Sequence, residues 1–489
     1  MNKPIDFHAL RERSGAFLFV LLIGLVGAIA FNFLVERSFR YTIYVFFVPP
    51  LAWLLFALKS SLIKVSLAAF SVMFLDAIFM VSGPMDFFRF RFSLVVACVV
   101  LASLWYYRPK RLKQHTLKRL FFWFLCTAFL SMCVGIIDDP ASVATNVTAF
   151  QLYYLEFFLF FLIGLSAFER VTDLKLFLLI LVFLGGAAAA IQLYGILFNV
   201  QVTALRGVED AQLWRMTPWG KDFIARRYGG PLGNPNTMSA FLVMLIPMAA
   251  LTFLYETRWH ARLILAGSLV LMPLSLIFGA SRSGILLAPA NLLFGLFLFG
   301  KQRRVVFVVI ALCVLGLLAY LLLITYFSEW FQFTVDRFTR LGLEAPGRKN
   351  VRLYFVPMLF SRPLGIGLAV SNFMDQILRY GTIPLGNAHN MYIQVALANG
   401  VAGIFIFLRI LGKIFFGNLR AYRMAEDLSV KHCFACLSVG ISGVLLMGLT
   451  QSVFGGLSSS RVLRILGLLL GLSATLIVQE LQRKARASS

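Results

Sequence analysis

Residues 176–198 read LFLLILVFLGGAAAAIQLYGILF, a stretch without a single Asp, Glu, Lys or Arg. Roughly twenty apolar residues in a helix are enough to cross the hydrocarbon core of a bilayer. The apolar residues run together and do not alternate with polar ones, as they would in a barrel strand. Backbone polar groups must be paired internally in hydrocarbon, which a helix achieves by itself. The stretch therefore predicts a transmembrane helix.

Runs of this kind recur along the whole chain, of whose 489 residues 60% are hydrophobic and 13% charged. The fourteen candidates lie at about 15–34, 41–58, 61–81, 91–107, 120–137, 149–167, 176–198, 236–255, 262–280, 283–300, 305–327, 391–416, 433–451 and 461–480. They predict an all-α fold, a polytopic transmembrane helical bundle of about 12–14 spans. The run after Met1 to Arg13 lacks a small-residue cleavage site, so we expect the first helix to be retained.

The basic residues indicate how the chain is oriented. The formal charge of +24 is scattered through short loops and not gathered on a soluble domain, so nucleic acid is not an expected partner. With the N-terminus inside, the loops assigned to the cytoplasm include the basic segments 108–119, 301–304 and 420–431 and the tail 483–486. This pattern follows the positive-inside rule. It predicts that both termini of a multi-pass protein lie in the cytoplasm.

The runs divide the chain into five parts. We expect N-terminal transmembrane helices over 1–198, a first outside loop over 199–235 and central helices over 236–327. A large outside loop over 328–390, with candidate active-site residues, precedes C-terminal helices and a basic cytoplasmic tail over 391–489. The large loop resembles short amphipathic helices on the membrane surface, broken at Pro346, Pro357, Pro363 and Pro384.

His389 is the candidate catalytic residue, because it is the one histidine that this topology puts outside. The other four, His8, His115, His260 and His432, fall on cytoplasmic loops or helix ends. His389 stands where the large loop meets a helix that is predicted to begin near Met391. A neutral imidazole at that boundary could take a proton from a hydroxyl. The alternative is a helix-capping or interfacial histidine.

Two arginine-bearing stretches lie on the same predicted face. Arg226-Arg227-Tyr-Gly-Gly-Pro-Leu-Gly-Asn234-Pro-Asn236 ends the first outside loop, and Ser281-Arg282-Ser283 fills a short hairpin. A planar guanidinium suits a bidentate contact to phosphate, and glycines let backbone approach a ligand closely. Asn234 or Asn236 could cap the following helix. The alternative is that these arginines reach ordinary lipid phosphates.

The large loop adds Arg348 and Arg352, which lie four residues apart and so share one face if the segment is helical. A net basic face opposes the positive-inside tendency, which favours an anionic substrate. Most of the loop's charges could instead hold it on anionic lipid headgroups.

Three ionisable residues, Asp76, Glu156 and Arg409, fall inside apolar runs. Such residues are functional candidates by default, and they are the basis for a transporter hypothesis. A buried structural ion pair is the alternative. The Cys433-x-x-Cys436 pair has no second cysteine pair beside it, so we interpret it as helix packing and expect neither a disulfide framework nor a metal site.

Four of these stretches together resemble the O-antigen ligase and O-antigen polymerase family of bacterial envelope glycosyltransferases. They span about 220–405 and are Arg227 to Asn236, Ser281-Arg282-Ser-Gly284, Gly347-Arg348 with Arg362-Pro-Leu-Gly-Ile-Gly367, and His389-Asn390 with Gly400-Val-Ala-Gly403. The last matches the family's His-Asn-x9-Gly-x-x-Gly pattern in full.

The resemblance implies a metal-independent transfer, without cofactor, of a saccharide from an undecaprenyl-diphosphate carrier to an acceptor hydroxyl of a glycan or glycolipid. It implies an active site on the periplasmic face of the inner membrane. Arg227 and Arg282 would bind the diphosphate and His389 would activate or orient the acceptor. Converging arginines can stabilise the departing charge. The supporting residues would be Arg226, Arg348, Arg352, Asn234, Asn236 and Asn390.

The chain has more candidate spans than the family's ligases usually have, which favours a polymerase of exopolysaccharide or O-antigen repeat units. A ligase that moves finished polymer to lipid A-core is the first alternative. A lipid-linked saccharide flippase and a structural partner of other envelope-assembly proteins are the others. The expected partners are membrane lipids, with chain-length regulator and flippase proteins as further candidates.

Overall fold

The computed structural model describes residues 50, 52–58, 60–75, 92–107, 116–168, 170–198, 212–216, 223–227, 229–279, 281–299, 346–379, 388–451 and 460–488. In that part of the chain, nine helical stretches are long and apolar enough to cross a membrane, and two shorter apolar helices accompany them. The prediction of an all-α, polytopic helical bundle is confirmed.

The helices, in chain order, are α1 (Ser61–Phe70), α2 (Phe92–Tyr107), α3 (Thr116–Asp138), α4 (Val143–Phe150), α5 (Glu156–Ser166), α6 (Val171–Leu197), α7 (Pro235–Tyr255), α8 (Trp259–Phe278), α9 (Arg282–Phe299), α10 (Pro346–Ser361), α11 (Val370–Arg379), α12 (Met391–Met424), α13 (Leu428–Gly448) and α14 (Ser460–Ser488). A π-helical segment, Gln151–Leu155, joins α4 to α5, so that Pro140–Ser166 forms one candidate span. The predicted hairpin at Ser281 is confirmed by the short turn between α8 and α9.

Two strands interrupt the predicted first outside loop. They are β1 (Gln212–Met216) and β2 (Phe223–Arg227), which pair antiparallel with Gln212 opposite Arg227. The search for long apolar runs could not find them, because each strand has only five residues and carries an arginine. Pairing two such segments satisfies backbone groups that a loop would leave to water.

The centre of the bundle is α7, of whose most apolar window 89% is buried. It packs against α6, α8, α9 and α13. The helices α5 and α14 meet closely through glycines. A Cβ on Gly164 would lie 2.4 Å from the carbonyl oxygen of Leu468, and one on Gly471 would lie 2.2 Å from that of Phe161. Small residues let the two backbones approach this closely, as is common between membrane helices.

A buried ion pair accounts for one of the three ionisable candidates. Glu156 Oε2 lies 2.5 Å from Arg464 Nε, and both side chains are fully buried. Arg464 Nη1 also donates to Ser93 Oγ at 2.6 Å. For Glu156 the structure thus favours a structural ion pair. Arg409 lies exposed on α12, and Asp76 lies outside the described residues.

The predicted helix break at Pro357 is wrong, because α10 runs through this residue to Ser361. Proline lacks the N–H that would bond to the carbonyl four residues earlier, which weakens a helix without always ending it. Met358, directly after it, is buried in a small apolar cluster, and this packing stabilises the last turn. Two of the other predicted breaks fit the helix bounds, since Pro346 begins α10 and Pro363 follows its end. The fourth, Pro384, lies outside the described residues.

Candidate active site

Several chain segments meet at one end of the bundle, which we call the His389 end. It contains the starts of α7, α9, α12 and α14 and the ends of α8 and α13. Two hydrogen bonds tie it together at the end of α13. Asn390 Nδ2 donates to the carbonyl of Leu449 at 3.0 Å, and Gln451 Nε2 donates to Ser283 Oγ at 3.0 Å. The neighbours of His389 and of Arg282 are therefore linked through three residues of one segment.

His389 has an unusual backbone conformation, with φ of 48°. Left-handed backbone is uncommon for residues other than glycine and clusters at functional sites, although histidine is among the residues that tolerate it. Its neighbours are fixed on both sides. The Ala388 N–H donates to Gln394 Oε1 at 2.9 Å, and Asn390 Oδ1 accepts from the N–H groups of Tyr392 and Ile393. The half-buried imidazole thus projects from a short turn whose backbone is held at both ends.

A small apolar cluster packs against the His389 turn. Its buried members are Met358 of α10, Ile366, Phe373 of α11, Ala388 and Leu397 of α12. Because α10 also carries Arg348 and Arg352, the cluster joins the helix of these two predicted arginines to the His389 turn. Both arginines lie within the single helix α10.

Two of the family-like stretches meet in a backbone junction. The Ile366 N–H donates to the carbonyl of Leu397 at 2.9 Å, and the Val401 N–H donates to that of Pro363 at 3.0 Å. The junction passes through Gly400, whose φ of 70° breaks the helical course of α12. A Cβ there would lie 2.1 Å from the Pro363 carbonyl oxygen. The first glycine of the Gly-x-x-Gly pattern is therefore needed for this junction.

Buried amides dock the same segment onto the bundle. Asn146 Oδ1 accepts from the N–H groups of Leu368 and Ala369 at 2.7 and 3.1 Å, and its Nδ2 donates to Asn372 Oδ1 at 2.8 Å. At the edge of this contact, Arg362 Nη1 lies 2.9 Å from Asp138 Oδ2. Asn146 was not predicted as a site residue, because it lies between the apolar runs 120–137 and 149–167.

Arg282 is the first residue of α9 and is half-buried. Its helix packs directly on the start of α7, since a Cβ on Gly284 would lie 2.9 Å from Ser239 Cβ. Asn234 caps α7 by accepting from the N–H groups of Asn236 and Thr237. Of the two predicted capping residues, Asn234 is thus the one that caps. The starts of α7 and α9 form a single surface at the His389 end.

The glycine-rich turn before α7 is tightly folded on itself. Gly230 and Gly233 have φ of 58° and 79°, and a Cβ on Gly229 would lie 2.2 Å from the Asn234 nitrogen. The backbone conformation of the turn therefore explains why glycine stands at these positions. No ligand contact is needed to explain it. The predicted Arg226 and Arg227 end β2, just before this turn.

Arg461 was also missed, although the sequence places it at the start of the last apolar run. Its side chain is 4% exposed, and Nη1 donates to the carbonyl of Pro231 at 2.7 Å. It is therefore an arginine of the His389 end that contacts the glycine-rich turn.

The opposite end of the bundle holds the other described histidines, His260 at the start of α8 and His432 in α13. His432 Nε2 lies 3.2 Å from Cys436 Sγ, and both cysteines of the Cys433-x-x-Cys436 pair are buried in α13, which agrees with helix packing. In the described part of the chain, no three His, Cys, Asp or Glu residues come together as metal ligands would. A cavity of about 440 Å³ at this end adjoins Arg483, far from His389 along the bundle.

Comparison with known proteins supports the resemblance noted in the sequence. No curated protein matches the chain. The model of the O-antigen ligase family matches residues 267–408, which is less than a third of the chain. The matched range includes Arg282, Arg348, Arg352, His389 and Asn390, and it leaves out Arg226 and Arg227. The segment that carries His389 and Arg282 is thus similar to the O-antigen ligase family.

Proposed function

We propose that the chain is a membrane glycosyltransferase of the O-antigen ligase and polymerase type. It transfers a saccharide from an undecaprenyl-diphosphate carrier to an acceptor hydroxyl at the periplasmic face. The proposal rests mainly on one observation at the His389 end. There, residues 449–451 link the turn of His389 to that of Arg282 through two hydrogen bonds. The family match to residues 267–408 supports the reaction class.

The proposed step is a displacement at the anomeric carbon of the donor sugar. The acceptor oxygen forms a bond to that carbon while the bond to the diphosphate breaks. The proton of the acceptor hydroxyl passes to the imidazole of His389, a transfer that side chains typically accelerate. The carrier diphosphate leaves with the electron pair of the broken bond. His389 suits this role, because its turn is fixed by Gln394 and by the cap at Asn390.

The departing diphosphate gains charge, and arginines are the proposed groups that stabilise it. Arg282 and Arg227 take this role, with Arg226, Arg348 and Arg352 in support. Guanidinium groups that are already in place stabilise developing charge without reorganising during the reaction. Arg282 begins a helix, where backbone N–H groups add favourable potential for an anion. Asn234 and Asn390 act in support by capping α7 and α12, and Asn236 is proposed as a further supporting residue.

Among the possible reactions, we propose polymerisation of repeat units, with transfer of finished polymer to a glycolipid as the alternative. The number of apolar runs in the sequence motivates this choice. The flippase alternative loses one of its three motivating residues, because Glu156 has an ion-pair partner in Arg464.

The experiment is complementation of a deletion strain, with the envelope polysaccharide analysed by size. His389→Ala should leave single repeats on the carrier at the periplasmic side, with no polymer. The matched control is His260→Ala, because His260 is exposed at the other end of the bundle. Normal polymer length and yield in His389→Ala would overturn the catalytic role. Finished polymer that stays on the carrier would indicate ligation, and repeats held at the cytoplasmic side would indicate a flippase.

A further inference from the structure

Arg461 contacts the glycine-rich turn from a part of α14 that is itself held in place. Its Nη1 donates to the carbonyl of Pro231 at 2.7 Å, in the middle of the 3-10 turn Gly230–Leu232. One helical turn further along α14, Arg464 is locked between Glu156 and Ser93. These contacts hold the first turn of α14 in place, and with it the backbone of Arg461.

The turn that Arg461 contacts lies between β2 and α7 in the chain. On one side β2 ends at Arg227, and on the other side Asn234 caps α7. The turn itself has little freedom, because Gly230 packs against Gln192, whose Cβ would lie 2.9 Å from an added Cβ. A displacement of Pro231 would therefore move the end of β2 relative to the start of α7.

Arg461 is buried, with 4% of its surface exposed. Its Nη1 contacts the turn that follows β2, and β2 ends in two further arginines.

We propose that Arg461 is a positioning residue of the donor site, which sets where Arg226 and Arg227 meet the diphosphate. This inference rests on the proposed function, because only then do those two arginines bind the donor. Arg461 acts through Pro231 and the turn, and it is not assigned contact with the reacting atoms. Its loss is therefore expected to weaken donor binding more than it slows the chemical step.

The test uses the full-length protein in proteoliposomes with a carrier-linked saccharide as donor. Arg461→Met keeps an unbranched apolar stem and removes the donor groups, while Arg461→Lys keeps a charged donor. We expect the KM for the carrier-linked donor to rise about tenfold in Arg461→Met, as for loss of a hydrogen bond from a charged group. The kcat should stay within about threefold, and Arg461→Lys should recover most of the KM. The control is Arg420→Met, because Arg420 is exposed near the far end of α12.

Hydrogen exchange gives a second readout that does not need the reaction. The Gly233 N–H bonds to the carbonyl of Gly230, and the Met238 N–H bonds to that of Asn234. These amides should exchange faster in Arg461→Met than in wild type, while amides in the middle of α14 should not change. If the wild-type protein transfers no sugar, the proposed function fails, and exchange still decides whether Arg461 holds the turn.

Three results would overturn the inference. The first is an unchanged KM in Arg461→Met, and the second is a fall in kcat at constant KM. The third is faster exchange throughout α14 without rescue by lysine, which would make Arg461 a general support of the fold.

Discussion

The two ends of the bundle use their polar residues differently. At the end opposite His389, charged side chains pair with each other, as Arg483 does with Glu480 and Arg258 with Glu256. At the His389 end, Arg362 also pairs with Asp138, but many polar side chains hold backbone. Asn234 and Asn390 cap helices, and Asn146 binds two N–H groups of the docked segment.

This difference supports the proposal that the His389 end binds the substrate. Ion pairs at a membrane boundary neutralise charge and leave little for a ligand. Side chains that fix backbone instead prepare a rigid surface, on which arginine and histidine can face a substrate. The His389 end has this second character, and the following predictions test the contrast.

The largest effect is expected from the fully buried ion pair of Glu156 and Arg464. Arg464→Met would leave Glu156 buried without its cation, and breaking such a pair typically costs roughly 3–5 kcal/mol. Thermal unfolding in detergent should show a large loss of stability. The double variant Glu156→Gln with Arg464→Met should be more stable than the single one. A single variant as stable as the double variant would contradict the structural role.

Gly400→Ala should be the next most damaging change. It forces a side chain into left-handed backbone and against the carbonyl of Pro363, so we expect a loss of roughly 2–4 kcal/mol. Gly412→Ala in the same helix is the control, because an added Cβ there meets its nearest atom at 4.0 Å. That change should be neutral or slightly stabilising. Equal melting temperatures for the two variants would show that the junction does not need glycine.

At the opposite end, Glu256 gives the bundle a pH-dependent stability. Hydrogen bonds from the Arg258 side chain lower the pKa of Glu256 from 4.5 to about 2. A lowered folded-state pKa adds stability above the unfolded-state pKa, and this stability is lost as pH falls through the folded-state value. Because Arg258 is 58% exposed, we expect Glu256→Gln to cost only roughly 1–2 kcal/mol at pH 7.

Melting curves in detergent at a series of pH values would check this prediction. The gap between wild type and Glu256→Gln should be constant above pH of about 5 and should narrow below 4.5 towards 2. A gap that widens on acidification would contradict the assigned sign.

The smallest effects on stability are expected from two helix caps, one at each end. Asn390→Ala removes the cap of α12, and Asp427→Ala removes that of α13, where Asp427 Oδ1 accepts from the Ser429 N–H at 2.7 Å. Each change should cost about 1 kcal/mol. Only Asn390→Ala should also reduce transfer, because only that cap adjoins His389. Equal transfer activity of the two variants would contradict the placement of the site at the His389 end.

Much of the fold could be predicted from local pattern. Apolar runs give the spans because the bilayer imposes a helix of defined length, and the hairpin at Arg282 follows from two adjacent runs. The position of His389 before a helix at Met391 is also local information. Such features depend on neighbours in sequence, and the structure confirms the hairpin and the start of α12. The candidate spans at about 15–34 and 305–327 lie outside the described residues.

The rest depends on partners far away in the chain. Asn146 binds the N–H of Leu368 across 222 positions, and Arg461 binds Pro231 across 230. No periodicity in the sequence indicates such a pairing. The continuation of α10 through Pro357 has the same origin, because packing at Met358 compensates for the missing hydrogen bond.

The most direct test of the central claim is the release of undecaprenyl diphosphate by the purified protein in proteoliposomes, with a carrier-linked saccharide and acceptor supplied. We predict that His389→Ala and Arg282→Gln each lower the rate at least about 100-fold, while His260→Ala retains wild-type activity. Wild-type release by His389→Ala, or an equal loss in His260→Ala, would contradict the assignment of catalysis to the His389 end.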